Sequence, residues 1–133
     1  MTLTWDFLLN FDYNNDLPEQ RTEETLKKYI NFKNDLKNNN IDISDVIYKN
    51  YLKDKIFSIE KNRFPYSTEE NVFHYVLWIN DNFKKDITNK KIMEVVLEKM
   101  KQINCSGYIC FENTLNCKSI KNILHFQVFF KKC

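Results

Sequence analysis

Two strongly hydrophobic runs in the second half of the chain predict β-strands that are buried on both faces. Residues 72–79 and 124–131 are apolar at most positions, and a polar segment precedes each of them. Short, continuous apolar runs of this kind are typical of a strand in the middle of a sheet, because both of its faces need cover. A shorter apolar run, Tyr108 to Phe111, lies between these two runs and follows a segment with helical periodicity. We therefore predict strands at about 72–79, 107–112 and 124–131.

Helical periodicity dominates the rest of the chain. Ile92, Val96 and Met100 recur every four residues, which predicts a long helix over about residues 88–103. Apolar positions at helical spacing also predict several helices before residue 65. The residues best suited to cap these N-terminal helices are Thr4, Thr22 and Ser44. The structure of residues 56–61 is ambiguous from the pattern.

These elements predict an α+β fold in which N-terminal helices precede a small antiparallel sheet and the long helix packs on that sheet. The polar connection over residues 112–123 contains no helical crossover, so the last two strands are expected to pair antiparallel. We expect the helices to cover one face of the sheet. A length of 133 residues predicts a single domain, 1–133, with one core.

Composition and charge exclude several classes of function. Gly107 is the only glycine, which excludes phosphate-binding loops that need several glycines. The formal net charge is only +2, so a nucleic-acid partner is not expected. Neither a secretory signal nor an apolar stretch of about 20 residues is visible, which predicts a soluble, cytoplasmic protein without a membrane partner. The abundance of Asn, Lys and Ile is typical of an AT-rich genome, such as that of a large DNA virus or a eukaryotic microbe.

The cysteines give no sign of a disulfide framework or a metal centre. None of the four, at positions 105, 110, 117 and 133, has the CxxC spacing of a zinc or redox motif. We expect free thiols in a reducing compartment, with no metal and no other cofactor. A metal site that combines cysteines with His74 or His125 is the alternative that spacing alone leaves open.

The two histidines, His74 and His125, each interrupt one of the long apolar runs. A buried imidazole needs a hydrogen-bond partner, because an unpaired buried polar group costs about 1–3 kcal/mol. If the two strands are neighbours, both rings can face one pocket for a small anion, with Arg63 as the anion-binding residue and Trp78 or Tyr66 as stacking partner. The candidate ligand-binding residues are Arg63, Tyr66, His74, Trp78, Asn113 and Ser119. A structural role is the alternative for each histidine.

Four short motifs follow one another along the chain: Arg63-Phe64-Pro65-Tyr66, His74-Tyr75-Val76-Leu77-Trp78, Asn113 with Lys118-Ser119-Ile120, and His125-Phe126-Gln127-Val128. In order and spacing they resemble an uncharacterised domain family, common in fungi, that includes the N-acetylglucosamine-induced proteins. Arg21 and Tyr29 also fall where the family tends to carry an arginine and a tyrosine. Two departures stand out. Thr114-Leu115 replaces a pair of prolines, and Gln127 replaces the family's second histidine.

The last strand also bears a fainter similarity to histidine-triad nucleotide hydrolases and transferases. His125 matches one histidine of that triad, whereas Gln127 and Phe129 occupy the other two positions. His125 is therefore the candidate catalytic residue, but glutamine is not a competent nucleophile and the resemblance implies that the covalent step is lost. We predict a pocket for a nucleotide or sugar phosphate, without catalysis, and whether the protein is an enzyme stays open. The alternative is a structural or protein-interaction module, with a protein partner or a second copy and no small ligand.

Overall fold

An antiparallel sheet forms the centre of this computed structural model, which describes residues 2–113 and 123–133. Within those ranges four strands pair in the order β1-β2-β4-β3. They are β1 (Phe57–Lys61), β2 (Val72–Ile79), β3 (Gly107–Phe111) and β4 (His125–Lys131). The two strands with continuous apolar runs, β2 and β4, are central and pair with each other, and β3 pairs antiparallel with β4 as expected. The α+β prediction is confirmed.

Helices fill the N-terminal third of the chain and the connection between β2 and β3. They are α1 (Trp5–Asn10), α2 (Glu23–Asn38), α3 (Ile43–Ile47) and α4 (Asn89–Gln102). A π-helical turn, Tyr48–Leu52, continues α3, and a short 3₁₀ helix, Asp81–Asp86, precedes α4. Among the described residues, no helix combines the length and the apolar character that crossing a membrane requires.

The helix caps follow the sequence, with one correction. The side chains of Thr4 and Thr22 accept hydrogen bonds from backbone N–H groups in the first turns of α1 and α2. The expectation that Ser44 caps the third helix is wrong. Asp42 is the cap, because its carboxylate accepts the N–H of Ser44 at 2.8 Å and the helix therefore begins earlier.

Both faces of the sheet are covered by helices, which corrects the expectation that the helices cover one face only. On the first face, α4 packs on a core that includes Tyr75, Leu77, Val95, Val96, Val128 and Phe130. The second face carries two separate apolar clusters, one around Leu3, Leu8, Leu17, Val72 and Phe129, the other around Ile47, Leu52, Val76, Trp78 and Ile123. The N-terminal helices cover this second face because β2 and β4 are apolar on both sides.

A strip of polar side chains runs between the two clusters of the second face. Trp78 pairs directly with His125, Val76 with Gln127, and His74 with Phe129, so all six side chains share this face. We use the name polar strip for His74, Gln127 and His125. The strip positions polar groups beneath the N-terminal helices, and the candidate site lies there.

The described cysteines are free thiols, as predicted, and Cys117 lies outside the described residues. Cys105 is buried and Cys133 is exposed. Burial raises the pKa of the Cys110 thiol to about 11 and also raises the pKa of Cys105. Because the thiolate is the reactive form, Cys105 and Cys110 are poor nucleophiles at neutral pH.

Candidate functional site

His74 is buried, and both of its ring nitrogens are hydrogen-bonded. Nδ1 accepts the backbone N–H of Tyr66 at 3.1 Å, and Nε2 lies 2.5 Å from Oε1 of Gln127. Because Nδ1 is an acceptor, the proton of the neutral ring is on Nε2, which donates it to Gln127. The ring also stacks on Phe129, with 4.4 Å between centroids. The geometry therefore makes His74 a neutral imidazole that holds β2, β4 and the Tyr66 segment together.

Burial lowers the pKa of His74 to about 4. Desolvation is the largest cause, the hydrogen bond to Gln127 opposes it, and the positive charge of Arg21 adds to it. The imidazole is therefore uncharged at neutral pH in the folded protein, and it does not supply positive charge for an anion.

We expect the protein to lose stability as the pH falls from about 6.5 towards about 4. In this window the unfolded chain binds a proton at His74 that the folded protein excludes, so each step down in pH favours unfolding. The pKa difference corresponds to roughly 3 kcal/mol of free energy of unfolding. This contribution is fully present above pH 6.5 and is lost below pH 4. Urea unfolding of the wild type and of His74→Gln at both ends of this window measures it. Equal pH dependence of the two proteins would contradict the assignment.

His125 lies at the other end of the polar strip, in a different hydrogen-bonding state. Its Nδ1 donates to the backbone carbonyl of Ile123 at 2.8 Å, so Nε2 carries the lone pair when the ring is neutral. The imidazole is 5 % exposed and lies 5.0 Å from the Trp78 ring. His74 and His125 are four residues apart along the paired strands, which is about 13 Å at the usual rise of a strand.

A cavity of about 310 Å³ opens between the polar strip and the N-terminal segment. Its polar lining consists of Glu19, Arg21, Tyr29, Tyr66, His74, Asn113, His125 and Gln127. Both histidines thus face a common cavity, although their rings are too far apart to act on one atom. Pockets for small ligands usually start near 300 Å³, so the cavity has room for a small molecule.

A second, smaller cleft of about 80 Å³ adjoins this cavity. The two share Arg21, Tyr29, His125 and Gln127. The smaller cleft continues towards Trp78, whose ring lies parallel to that of Tyr51 at 6.2 Å. It therefore offers an aromatic wall beside the polar cavity.

Arg21 is the guanidinium of the cavity, and the fold fixes it firmly. Its Cζ lies 4.4 Å from the ring centroid of Tyr29 and 5.0 Å from that of Tyr66. Nε donates to the carbonyl of Phe64 at 2.8 Å, and Nη1 donates to both carboxylate oxygens of Glu19 at 2.9 Å. Nη2 makes no hydrogen bond to any residue within 2–113 or 123–133. Arg21 lines the cavity, and Nη2 is its donor that no described residue uses.

The predicted site residues divide between the two cavities. Tyr66 and Asn113 line the larger one together with the polar strip. Trp78 and Arg63 line the smaller cleft instead. Arg63 is exposed, and its Cζ lies 4.4 Å above the ring of Phe32, so the larger cavity has Arg21 where we expected Arg63. Ser119 lies outside the described residues.

Arg21, Tyr29 and Glu19 also line the cavity, although no local pattern in the sequence predicts them there. The first two match positions of the resembled family, and that match is the signal that could have identified them. Glu19 carried no such signal. In the part of the chain that the structure describes, no three His, Cys, Asp or Glu side chains are grouped so that they could hold a metal ion.

Comparison with known proteins agrees with the resemblance found in the motifs. The chain is 32 % identical over 108 residues to N-acetylglucosamine-induced protein 1 of Candida albicans, a match that covers 67 % of this chain and 42 % of that relative. The chain thus spans less than half the length of this relative. The crystal structure of HTC1 superimposes with a TM-score of 0.58 at 17 % identity, over 86 % of this chain and 77 % of that one, which shows a shared fold alone.

A family model reaches further along the chain than either of these matches. The model described as protein of unknown function (DUF3605) matches residues 4–131 and so includes the N-terminal helices, all four strands and both histidines. The predicted membership of a family that includes the fungal N-acetylglucosamine-induced proteins is confirmed. The chain belongs to the DUF3605 family.

Proposed function

We propose that the larger cavity binds a nucleotide or a sugar phosphate and carries out no covalent chemistry on it. The observation that carries this proposal is the position of Arg21, which lines the cavity with a guanidinium that Phe64 and two tyrosine rings hold in place. A planar guanidinium matches the geometry of phosphate oxygens and binds them more strongly than a neutral donor does.

The remaining lining suits the uncharged part of such a ligand. Gln127 accepts from His74 through Oε1, so its amide nitrogen is the group left to donate. Asn113 and the hydroxyl groups of Tyr29 and Tyr66 supply further polar groups for sugar hydroxyls. A volume of about 310 Å³ lies at the lower end of the range for ligand pockets, which favours a single nucleotide or sugar over a dinucleotide.

The same contacts favour binding over catalysis. Gln127 stands where the family usually has a second histidine, and an amide is not a nucleophile. Its oxygen is also engaged by His74, which holds the side chain in place. His125 lines the same cavity, and we assign it the role of a hydrogen-bond partner for the ligand.

A panel of nucleotides and sugar phosphates tested by thermal unfolding examines the proposal. We expect at least one compound to stabilise the wild type, by about 2.7 kcal/mol when it is present at 100 times its Kd. Arg21→Gln should lose this effect. Arg63→Gln is the matched control, because it removes the same charge from an exposed side chain outside the larger cavity. Equal loss in both variants, or no stabilising compound, would contradict the proposal.

A second candidate function is that of a protein-interaction module without a small ligand. One observation favours it: Phe7 and Leu9 of α1 are 36 % and 56 % exposed. Contiguous exposed apolar patches mark contact surfaces, and these two side chains would supply apolar area to such a patch. Failure of every compound in the panel would make this the better account.

A further inference from the structure

We infer that the carboxylate of Glu19 occupies the place of the ligand's anionic group and is displaced when that group binds to Arg21. The inference rests on the proposed function and adds to it the residue that controls access to the guanidinium. It makes Glu19 a determinant of affinity and of the charge of the ligand.

The ion pair between Glu19 and Arg21 has one fixed and one movable member. The Arg21 side chain is 13 % exposed, and it is held by the Phe64 carbonyl and by the rings of Tyr29 and Tyr66. The Glu19 side chain is 42 % exposed. Among the residues within the described ranges, Arg21 is the only hydrogen-bond partner of its carboxylate. Glu19 can therefore leave without breaking any other contact of this kind.

The backbone around the pair stays anchored when the carboxylate moves. Glu19 and Arg21 are separated by Gln20, which is buried and whose carbonyl accepts the N–H of Ser67 at 2.8 Å. Thr22 then caps α2. Because Gln20 and Thr22 hold the backbone that follows Glu19, a rotation of the Glu19 side chain suffices to open the site.

Charge is the reason that the carboxylate must move. Both oxygens of Glu19 lie 2.9 Å from Nη1, so a phosphate that approached Arg21 beside them would meet a like charge at close range. Ion pairs with an exposed partner add little to stability, so releasing Glu19 costs little. A ligand phosphate, with its greater charge and three acceptor oxygens, can therefore replace the carboxylate on the same guanidinium.

Calorimetric titration with inorganic phosphate, at constant ionic strength, tests the inference. We expect Glu19→Gln to bind phosphate roughly tenfold more tightly than the wild type, because a competing negative charge is removed. Glu23→Gln is the matched control. It removes the same charge from a side chain that is 88 % exposed and pairs with Lys27 at 3.8 Å, away from the cavity, and it should bind phosphate as the wild type does.

The gain should also depend on Arg21. Adding Arg21→Lys to Glu19→Gln should abolish most of the increase, since lysine keeps the charge but lacks the planar fork. Circular dichroism confirms that each variant is folded. A Glu19→Gln affinity equal to or weaker than that of the wild type would overturn the inference, and so would an equal gain in Glu23→Gln or a gain that survives Arg21→Lys.

The failure of this inference is distinguishable from failure of the proposed function. If Glu19→Gln gains phosphate affinity but no nucleotide or sugar phosphate binds the wild type, the anion site stands and the proposed ligand class is wrong. If the wild type binds a sugar phosphate through Arg21 and Glu19→Gln shows no gain, the proposed ligand class stands and the displacement is wrong.

Discussion

Replacing His74 with alanine is expected to lower the free energy of unfolding by about 4 kcal/mol. The change leaves the backbone N–H of Tyr66 and Oε1 of Gln127 without their partner, and an unpaired buried group costs about 1–3 kcal/mol. It also opens a void against the ring of Phe129. Because domains of this size are stable by only about 5–15 kcal/mol, the loss is a large share of the total.

Urea unfolding at pH 7.5 measures this change, with His74→Asn as the control. The Asn side chain carries an acceptor close to the position of Nδ1 and can keep the bond from Tyr66, but it does not reach Gln127. We expect it to lose clearly less stability than His74→Ala. A loss of less than about 1 kcal/mol in His74→Ala would contradict the structural role, because it would mean that neither bond is formed in solution.

The central part of the fold was readable from the sequence because β2 and β4 are apolar on both faces. Their bounds and that of α4 lie within one residue of the predicted ones. β1 stayed ambiguous because Phe57 and Ile59 alternate with Ser58 and Glu60 over only four residues, which is too short a pattern to identify an edge strand. The helices on the second face of the sheet were not predicted, because the periodicity of a helix does not show which face of a sheet it packs on.

The polar strip was predictable only in part. The two-residue period of a strand placed His74, His125 and Gln127 correctly on one face once the strands were paired. Arg21 lies more than 50 residues before β2 in the chain, and no local sequence pattern relates it to that strand. The partner of His74 at Nδ1 is a backbone N–H, which the identity of Tyr66 does not reveal.

Replacing His125 with asparagine is expected to weaken ligand binding by about 10- to 100-fold while leaving the fold intact. The amide nitrogen of Asn can replace Nδ1 as the donor to the Ile123 carbonyl, so this bond to the backbone should persist in the variant. The variant lacks Nε2, and hydrogen bonds to charged ligand groups contribute about 1.5–3 kcal/mol.

Calorimetry with the compound that stabilises the wild type best, together with urea unfolding, measures both effects. Asn113→Ala serves as a comparison within the same cavity, because it removes a neutral group and should weaken binding less. Strong destabilisation by His125→Asn with unchanged ligand affinity would show instead that His125 is structural.

If His74 holds the fold and the cavity around Arg21 and His125 binds a phosphorylated ligand, the two imidazoles should respond differently to that ligand. The chain has only two histidines, so nitrogen NMR of the imidazoles resolves both rings at once. Titration with nucleotides and sugar phosphates at pH 7 should shift the His125 resonances until they saturate. The His74 ring should keep its proton on Nε2 and remain nearly unchanged. Resonances of both rings that stay unchanged with every compound would contradict the account. So would a shift of the His74 resonances without a shift of those of His125.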